Sequence, residues 1–281
     1  MSAKYFQIGF LLSIPFLTGA FSSHAFADDA PVFSYDAYAR ALADYVDDRG
    51  MVDYGGLKVN RADLDHFVTS MGALKESVYN TWDDNTKVAF WCNAYNAITL
   101  KYILDRYPIK KGSWMSSFRF PENSIRQISG VWDKITTPVM NQPMTLDAIE
   151  HNVLRKQFTE PRIHMAIVCA SVGCPVLRNE PFTGAALDEQ LADQSLRFLS
   201  DSTKFRIDRK KNTVYLSPIF DWFGKDFTSV YMPESGFADL GATDRAVLNF
   251  VSKHVSDKDA AYLAAGGYYV RYLDYDWSLN E

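Results

Sequence analysis

This sequence lacks an excess of positive charge, a recognisable linker and an internal repeat, and each absence excludes a class of protein. The formal net charge is −5, and such mild acidity argues against nucleic acid or an anionic membrane surface as a partner. No segment rich in proline, glycine and serine, or in charge of one sign, divides the chain, and no internal repeat is found. We therefore predict a single globular domain and no nucleic-acid partner.

Long hydrophobic runs are also lacking, because the apolar run near the N-terminus is too short and too interrupted for a membrane-spanning helix. It extends from Ile8 to Leu17 and precedes a small-x-small pattern at residues 25–27. This order predicts a secretory signal peptide over residues 1–27. No cysteine lies near the cleavage point, so no lipid anchor is predicted. We expect residues 28–281 to form a soluble periplasmic or secreted domain with no integral membrane segment after cleavage.

Helical periodicity dominates the rest of the chain, and strand patterns are few and short. The spacing predicts helices over residues 35–48, 61–75, 84–106, 145–158, 185–200, 219–227, 244–255 and 257–264. Strands are predicted near residues 162–168, in a hairpin over residues 204–208 and 213–217, and at residues 268–273. Because strands and helices do not alternate, the pattern predicts an α+β fold: a helix-rich single domain around a small, mainly antiparallel sheet.

The stretch from Arg162 to Pro175 is the most informative segment, because it holds two of the three cysteines, Cys169 and Cys174. Its apolar residues run into a turn of small residues that includes Gly173. The residue types are compatible with a nucleophilic site, a metal site, a disulfide loop or a packed core strand.

Six blocks of the sequence are distinctive in their composition and order. They are Val52-Asp53-Tyr54, Phe90-Trp91-Cys92-Asn93-Ala94-Tyr95-Asn96-Ala97, residues 146–151, residues 162–175, residues 216–223 and residues 275–280. Together they resemble the uncharacterised family called "domain of unknown function 547", and the chain is most similar to its secreted bacterial members. The resemblance covers nearly the whole predicted mature chain. It implies a related fold and no settled reaction, so roles for individual residues have to come from their chemistry.

Cys169 is the candidate nucleophile of a cysteine-dependent hydrolase or acyl transferase. The small residues after it, Ser171 among them, allow backbone N–H groups to converge on a developing negative charge. His151 is the candidate base, and Asp147, four residues earlier on the same helical face, is the candidate orienting group. His164 precedes Cys169 by five positions, so strand alternation places the two side chains on opposite faces and favours a core role for His164.

Two alternatives exist for the same residues. The residue types of His151, His164, Cys169 and Cys174 suit zinc, yet their spacing lacks a close ligand pair, so no metal and no other cofactor is predicted. In an oxidising compartment Cys169 and Cys174 are also able to form a disulfide, which leaves Cys92 unpaired in the core.

Asn93 and Asn96 lie three residues apart on one face of an otherwise apolar helix. Buried amides need partners, so the pair either ties loops to the helix, which we favour, or joins Ser171 as substrate-binding groups. The predicted function is a secreted envelope protein that acts as a cysteine-dependent hydrolase or acyl transferase on a peptide or related amide. The alternative is a non-enzymatic periplasmic protein that binds or scaffolds a small molecule, a peptide or an envelope protein.

Overall fold

The computed structural model describes residues 33–111, 118–237 and 239–281, together with Met1. The predicted signal peptide, apart from its first methionine, lies outside the described residues. From Phe33 to Glu281 the chain forms one compact unit. Its α-helices are α1 (Asp36–Tyr45), α2 (Tyr54–Val59), α3 (Ala62–Ala73), α4 (Glu76–Tyr79), α5 (Asp84–Leu104), α6 (Arg155–Gln157), α7 (Leu187–Ser200), α8 (Pro218–Phe223), α9 (Thr228–Tyr231), α10 (Ala242–Ser252) and α11 (Asp257–Ala265).

The strands form two small sheets. They are β1 (Thr137–Val139), β2 (Gln142–Met144), β3 (Phe205–Asp208), β4 (Thr213–Leu216) and β5 (Tyr269–Tyr272). β1 pairs with β2 and β3 pairs with β4 in antiparallel fashion, whereas β4 and β5 are parallel. Helices predominate over these short strands, which confirms the predicted helix-rich α+β fold.

Helix α5 is the centre of the fold. Asp83 caps its N-terminus, because the carboxylate accepts a hydrogen bond from the Thr86 N–H at 2.7 Å. From Val88 to Leu104 every residue except Lys101 is buried. A helix that is apolar on all faces is buried by its neighbours. Among the described residues, no helix is long and apolar enough to cross a membrane.

The segment predicted as a strand near residues 162–168 has a different structure. Pro161–Met165 is a short 3₁₀ helix, and the chain then runs without sheet pairing to a single bridge between Ser171 and Leu279. The reason lies in α5, where the Asn96 amide donates to the Ala166 carbonyl and accepts from the Val168 N–H. A side chain therefore takes the backbone groups that a neighbouring strand would have paired.

The predicted helix over residues 145–158 begins as expected, since the Thr145 hydroxyl accepts from the Ala148 N–H at 3.0 Å. Its centre is a π-helical segment, Ala148–Leu154, which continues into α6. Segments of this kind are rare and concentrate at functional sites. This one carries His151 and Glu150.

The C-terminal segment fixes the turn that contains the cysteines. The N–H groups of Val172 and Gly173 donate to the carbonyls of Ser278 and Asp276, both at 2.8 Å. This pairing brings Tyr275 against Gly173. Residues that are distant in the sequence therefore meet at the cysteine turn.

Candidate functional site

A cavity of about 210 Å³ opens beside the cysteine turn. The π-helical segment, the cysteine segment, α8 and the C-terminal segment provide its walls. Aromatic side chains form much of the surface, and titratable groups face the same space. The lining residues of this kind are Tyr95, Trp132, Trp222, Phe223, Tyr275 and Trp277 together with Arg126, Asp147, Glu150, His151, His164, Cys169 and Cys174. All three residues of the predicted catalytic set, Cys169, His151 and Asp147, therefore line one cavity.

The two thiols are neighbours in a cluster of four polar groups. The Sγ atoms of Cys169 and Cys174 lie 2.6 Å apart. The Tyr275 hydroxyl is 3.3 Å from the Cys169 sulfur and 3.1 Å from that of Cys174. The Ser171 hydroxyl is 3.2 Å from the Cys169 sulfur and 3.5 Å from that of Cys174. Both sulfurs thus share the same two hydroxyl donors.

The cysteines are free thiols in this structure, as is Cys92, which is buried in α5. The separation of 2.6 Å between the Cys169 and Cys174 sulfurs exceeds a disulfide bond of about 2.05 Å. The backbone N–H of Cys169 also donates to the Cys174 sulfur at 3.0 Å. Cys174 consequently has one more hydrogen-bond donor than Cys169.

These hydrogen-bond donors determine which of the two sulfurs carries the negative charge. Burial raises the pKa of Cys174, but hydrogen bonds to its sulfur have the larger effect and lower the pKa below the ordinary thiol value. The donors are the Cys169 thiol, the Ser171 and Tyr275 hydroxyls and the Cys169 N–H. The hydrogen bond with Cys174 and burial raise the pKa of Cys169 well above that value. The pair therefore carries one thiolate, held mainly on Cys174, and one thiol that donates to it.

Backbone geometry holds this arrangement in place. Ala170, between the cysteine and the turn, has φ of 57°, which is uncommon for a residue with a side chain. A Cβ at Gly173 would lie 2.7 Å from the ring of Tyr275. Only glycine lets the tyrosine ring approach the turn this closely.

His151 is not oriented by Asp147 in the way the sequence predicted. The closest nitrogen of the ring lies 3.9 Å from the Asp147 carboxylate, beyond hydrogen-bond distance. Instead, Arg155 donates to Nδ1 of His151 at 2.9 Å. Burial and the Arg155 charge lower the pKa of His151. The ring is thus a neutral base on the cavity wall, and Arg155 orients it.

The tight histidine–carboxylate pair involves His164 and Asp226 instead. Nε2 of His164 lies 2.8 Å from Asp226, whose carboxylate also receives two hydrogen bonds from Arg155 at 2.6 and 3.0 Å. His164 stacks on Phe223 with ring centroids 4.3 Å apart. Because the segment is not a strand, the predicted alternation does not apply, and His164 and Cys169 line the same cavity.

Burial and hydrogen bonding together determine the charges of His164 and Asp226. Burial lowers the pKa of His164 despite the carboxylate beside it, so the ring is neutral. Burial raises the pKa of Asp226, but hydrogen bonds from His164 and Arg155 outweigh that effect and hold it well below the usual range. Arg155 is the cation that keeps Asp226 ionised. No signal in the sequence connects Asp226 with His164.

Glu150 is the buried acid of the site, and sequence analysis assigned it no role. It is 7% exposed. Burial raises its pKa to about 7, against the opposing charge of Arg155 and a hydrogen bond with Tyr95. An acid with this pKa exchanges protons near neutral pH.

Part of the chain that forms the site also matches a known family model. Residues 79–199 match the family model described as "Protein of unknown function, DUF547". The DUF547 match includes α5, the π-helical segment and both cysteines of the cluster, whereas Asp226 and Tyr275 lie beyond it. It confirms the resemblance over that segment. No curated protein and no solved structure matches the chain.

Within the DUF547 segment, Asn93 and Asn96 brace the fold. Asn93 donates to the Phe182 carbonyl at 2.7 Å and accepts from the Phe182 N–H at 2.9 Å, as Asn96 does with Ala166 and Val168. Both amides are 3% exposed or less and are absent from the cavity lining. Ser171, the third predicted substrate-binding residue, lies instead in the thiol cluster. The arrangement favours the structural alternative for the two asparagines.

The described residues contain no group of three or more histidine, cysteine, aspartate or glutamate side chains placed to hold a metal ion. His151 and His164 turn towards Arg155 and Asp226, respectively, and the two sulfurs turn towards each other. The geometry provides thiol and acid–base chemistry from the protein's own side chains.

Proposed function

We propose that this protein is a secreted thiol enzyme, a hydrolase or acyl transferase that acts on a peptide or related amide. The observation that supports it best is the Cys169–Cys174 pair, where Tyr275, Ser171 and a backbone N–H stabilise one thiolate at the wall of a cavity. A thiolate is the nucleophilic form of cysteine, and lowered pKa values of this origin are typical of reactive thiols.

Cys169 is the attacking sulfur, because it is only partly buried, whereas Cys174 is 5% exposed. Its proton moves to Cys174 along the existing sulfur–sulfur hydrogen bond as the Cys169 sulfur bonds to the carbonyl carbon. When the carbon–nitrogen bond breaks, Glu150 in its acid form supplies the proton that the leaving amine needs. The product of this half-reaction is a thioester on Cys169.

The second half-reaction releases the acyl group. His151, neutral and solvent accessible, takes a proton from water or from an acceptor amine as that molecule attacks the thioester carbon. The carbon–sulfur bond breaks, and Cys169 leaves as a thiolate. The proton on His151 then returns to Glu150, and the pair regains its single shared proton. Water as the attacking molecule gives hydrolysis, and an amine gives acyl transfer.

Secretion is part of the proposal and depends on the signal-peptide pattern of residues 1–27. N-terminal sequencing of the protein recovered from the producing cells tests it. We expect the mature chain to begin at Asp28. A mature protein that keeps Met1 and the apolar run would contradict cleavage.

The competing function is a non-enzymatic binding protein. The observation in its favour is that, among the described residues, no imidazole hydrogen-bonds a cysteine sulfur: His151 and His164 contact Arg155 and Asp226 instead. The aromatic wall suits a bound ligand in either case.

Turnover of p-nitroanilides of acetylated dipeptides separates the two functions. The parent protein should release nitroaniline and form a thioester on Cys169 that mass spectrometry detects. Cys169→Ala should abolish both signals, while Cys92→Ala, at the buried thiol of α5, should keep them if the variant folds. A folded Cys169→Ala protein with full activity, or a parent protein that cleaves none of the amides, would favour the binding protein.

A further inference from the structure

Arg126 lines the cavity and is held by three aromatic rings. Its guanidinium carbon is 4.4 Å from the ring centroid of Phe120, 4.9 Å from that of Trp277 and 5.2 Å from that of Trp132. Such cation–π contacts fix the position of a guanidinium without using its hydrogen-bond donors.

Those donors have no partner among the residues that the structure describes. Within the described part of the chain, the Arg126 guanidinium forms no ion pair and no hydrogen bond, and its backbone N–H alone donates, to Ser124. Arg155, which contacts the cavity residue His151, shows the contrast, because it donates two hydrogen bonds to Asp226. Arg126 is therefore positioned by the fold and available to a ligand.

A second arginine, Arg119, adds positive charge near Arg126. Arg119 and Arg126 both line an adjoining cavity of about 380 Å³ that also shares Trp132 with the first. Burial lowers the pKa of Arg126, the charge of Cys169 raises it and the charge of Arg119 lowers it further. Arg126 is thus within electrostatic reach of both the nucleophile and a like charge. Two cations that line the same cavity favour the binding of an anion there.

We propose that Arg126, assisted by Arg119, binds a carboxylate of the substrate, so that the amide processed here carries a free carboxylate close to the bond that reacts. The planar guanidinium fork matches a carboxylate with two parallel hydrogen bonds. This inference names the substrate class for the proposed thiol enzyme and rests on that function. The carboxylate has two possible sources, the C-terminus of a peptide and an acidic side chain.

The test measures binding in a Cys169→Ala background, where no probe is turned over. Three probes are compared: acetyl-Ala-Ala with a free C-terminus, acetyl-Ala-Ala amide, which lacks a carboxylate, and acetyl-Glu-Ala amide, which carries its carboxylate on a side chain. Isothermal titration should give at least about tenfold tighter binding for a carboxylate probe than for the neutral amide, as expected for a charge-assisted pair. The tighter of the two carboxylate probes identifies the source.

Arg126→Gln should remove the preference, and Arg126→Lys should restore part of it. The matched control is Arg206→Gln, because Arg206 also lies over an aromatic ring, 4.5 Å from the centroid of Tyr215, but does not line the cavity. It should leave the preference intact. Equal binding of all three probes, no binding of either carboxylate probe, or a preference that survives Arg126→Gln would overturn the inference.

The outcome is independent of the test for catalysis. A carboxylate preference that depends on Arg126, in a parent protein without amide turnover, would retain the site and reject the enzyme. Turnover that requires Cys169 but treats neutral and carboxylate amides alike would retain the enzyme and reject the carboxylate site.

Discussion

Nε2 of His164 lies 2.8 Å from Oδ2 of Asp226, although 62 positions separate the two residues in the sequence. The His164 side chain is 1% exposed, and the Asp226 carboxylate is shared with Arg155. Because the carboxylate is ionised and His164 is neutral, Nε2 carries the proton and donates it. The contact fixes the orientation of the ring on the cavity wall, and it makes Asp226 the common anchor of His164 and Arg155.

Asp226→Asn should destabilise the protein by about 2 to 3 kcal/mol, since a partly buried Arg155 loses its counter-charge while His164 keeps an acceptor. Urea unfolding at neutral pH measures the free energy. Asp259→Asn is the control, because Asp259 pairs with Arg209 at a solvent-exposed position and should cost less than about 1 kcal/mol. Equal losses for the two variants would contradict an anchoring role for Asp226.

Tyr275→Phe should raise the pKa of the thiol pair by about one unit, because it removes one hydroxyl that donates to both sulfurs. Burial raises the pKa of Tyr275 well above its usual value, so the hydroxyl remains a donor at neutral pH. Because the pKa of Cys174 is about 6, this shift lowers the thiolate fraction about twofold at pH 7 and nearly tenfold at pH 5, and alkylation by iodoacetamide should slow accordingly.

The pH dependence of alkylation, followed for each cysteine by mass spectrometry, gives the midpoint. Tyr268→Phe serves as the control: that buried hydroxyl donates to the Leu263 carbonyl and contacts neither thiol. An unchanged midpoint in Tyr275→Phe would show that the tyrosine does not stabilise the thiolate.

Glu150→Gln should remove a pH-dependent loss of stability. The pKa of Glu150 rises from its ordinary 4.5 to about 7 in the folded protein, so the folded state holds this proton more tightly than the unfolded state. The associated stability is fully present below pH 4.5 and is lost as pH rises through about 7. At about 1.36 kcal/mol per pKa unit, the loss is on the order of 3 kcal/mol.

Unfolding free energies measured across this range should fall for the parent protein relative to Glu150→Gln as pH rises. The exposed Glu234→Gln provides the control and should follow the parent. A constant difference between the parent and Glu150→Gln at every pH would mean that folding does not shift the pKa of Glu150.

The sequence predicted most of the helices because their signals are local. The Asp83 cap, the apolar faces of α5 and the Thr145 cap are all visible within a few residues of the helices they define. The strand predicted near residues 162–168 was wrong, since periodicity alone does not distinguish a strand from another buried apolar segment. Its backbone is paired by Asn96, 70 positions away from the Ala166 carbonyl that it contacts.

The site was predictable only in part, because several of its contacts join residues that are far apart in the sequence. The chemistry of their side chains identified Cys169 and His151 as candidates, and both line the cavity. Tyr275 is 106 positions from Cys169, and the pairing that brings it there involves backbone groups with no sequence signature. Asp147 was predicted to orient His151 because the two residues are four positions apart, but Arg155 is also four positions from His151, and spacing alone does not show which of the two contacts the ring.

Gly173→Ala should weaken the thiolate without removing any polar group. The added Cβ would lie 2.7 to 2.8 Å from three atoms of the Tyr275 ring, a distance at which the ring has to move. We expect a stability loss of about 1 to 3 kcal/mol from overpacking and slower alkylation of the cysteines at pH 7, because the Tyr275 hydroxyl leaves the sulfurs.

Gly241→Ala is the control for the added methyl group, which meets no atom within 4 Å there. The double variant Gly173→Ala with Tyr275→Phe tests whether Gly173 affects the thiols through Tyr275. If Gly173 acts on the thiols through Tyr275, the two changes should not add in the alkylation midpoint, because the hydroxyl is lost only once. A midpoint shift equal to the sum of the single shifts would mean that the turn influences the thiols by another route, such as the Cys169 N–H that donates to Cys174.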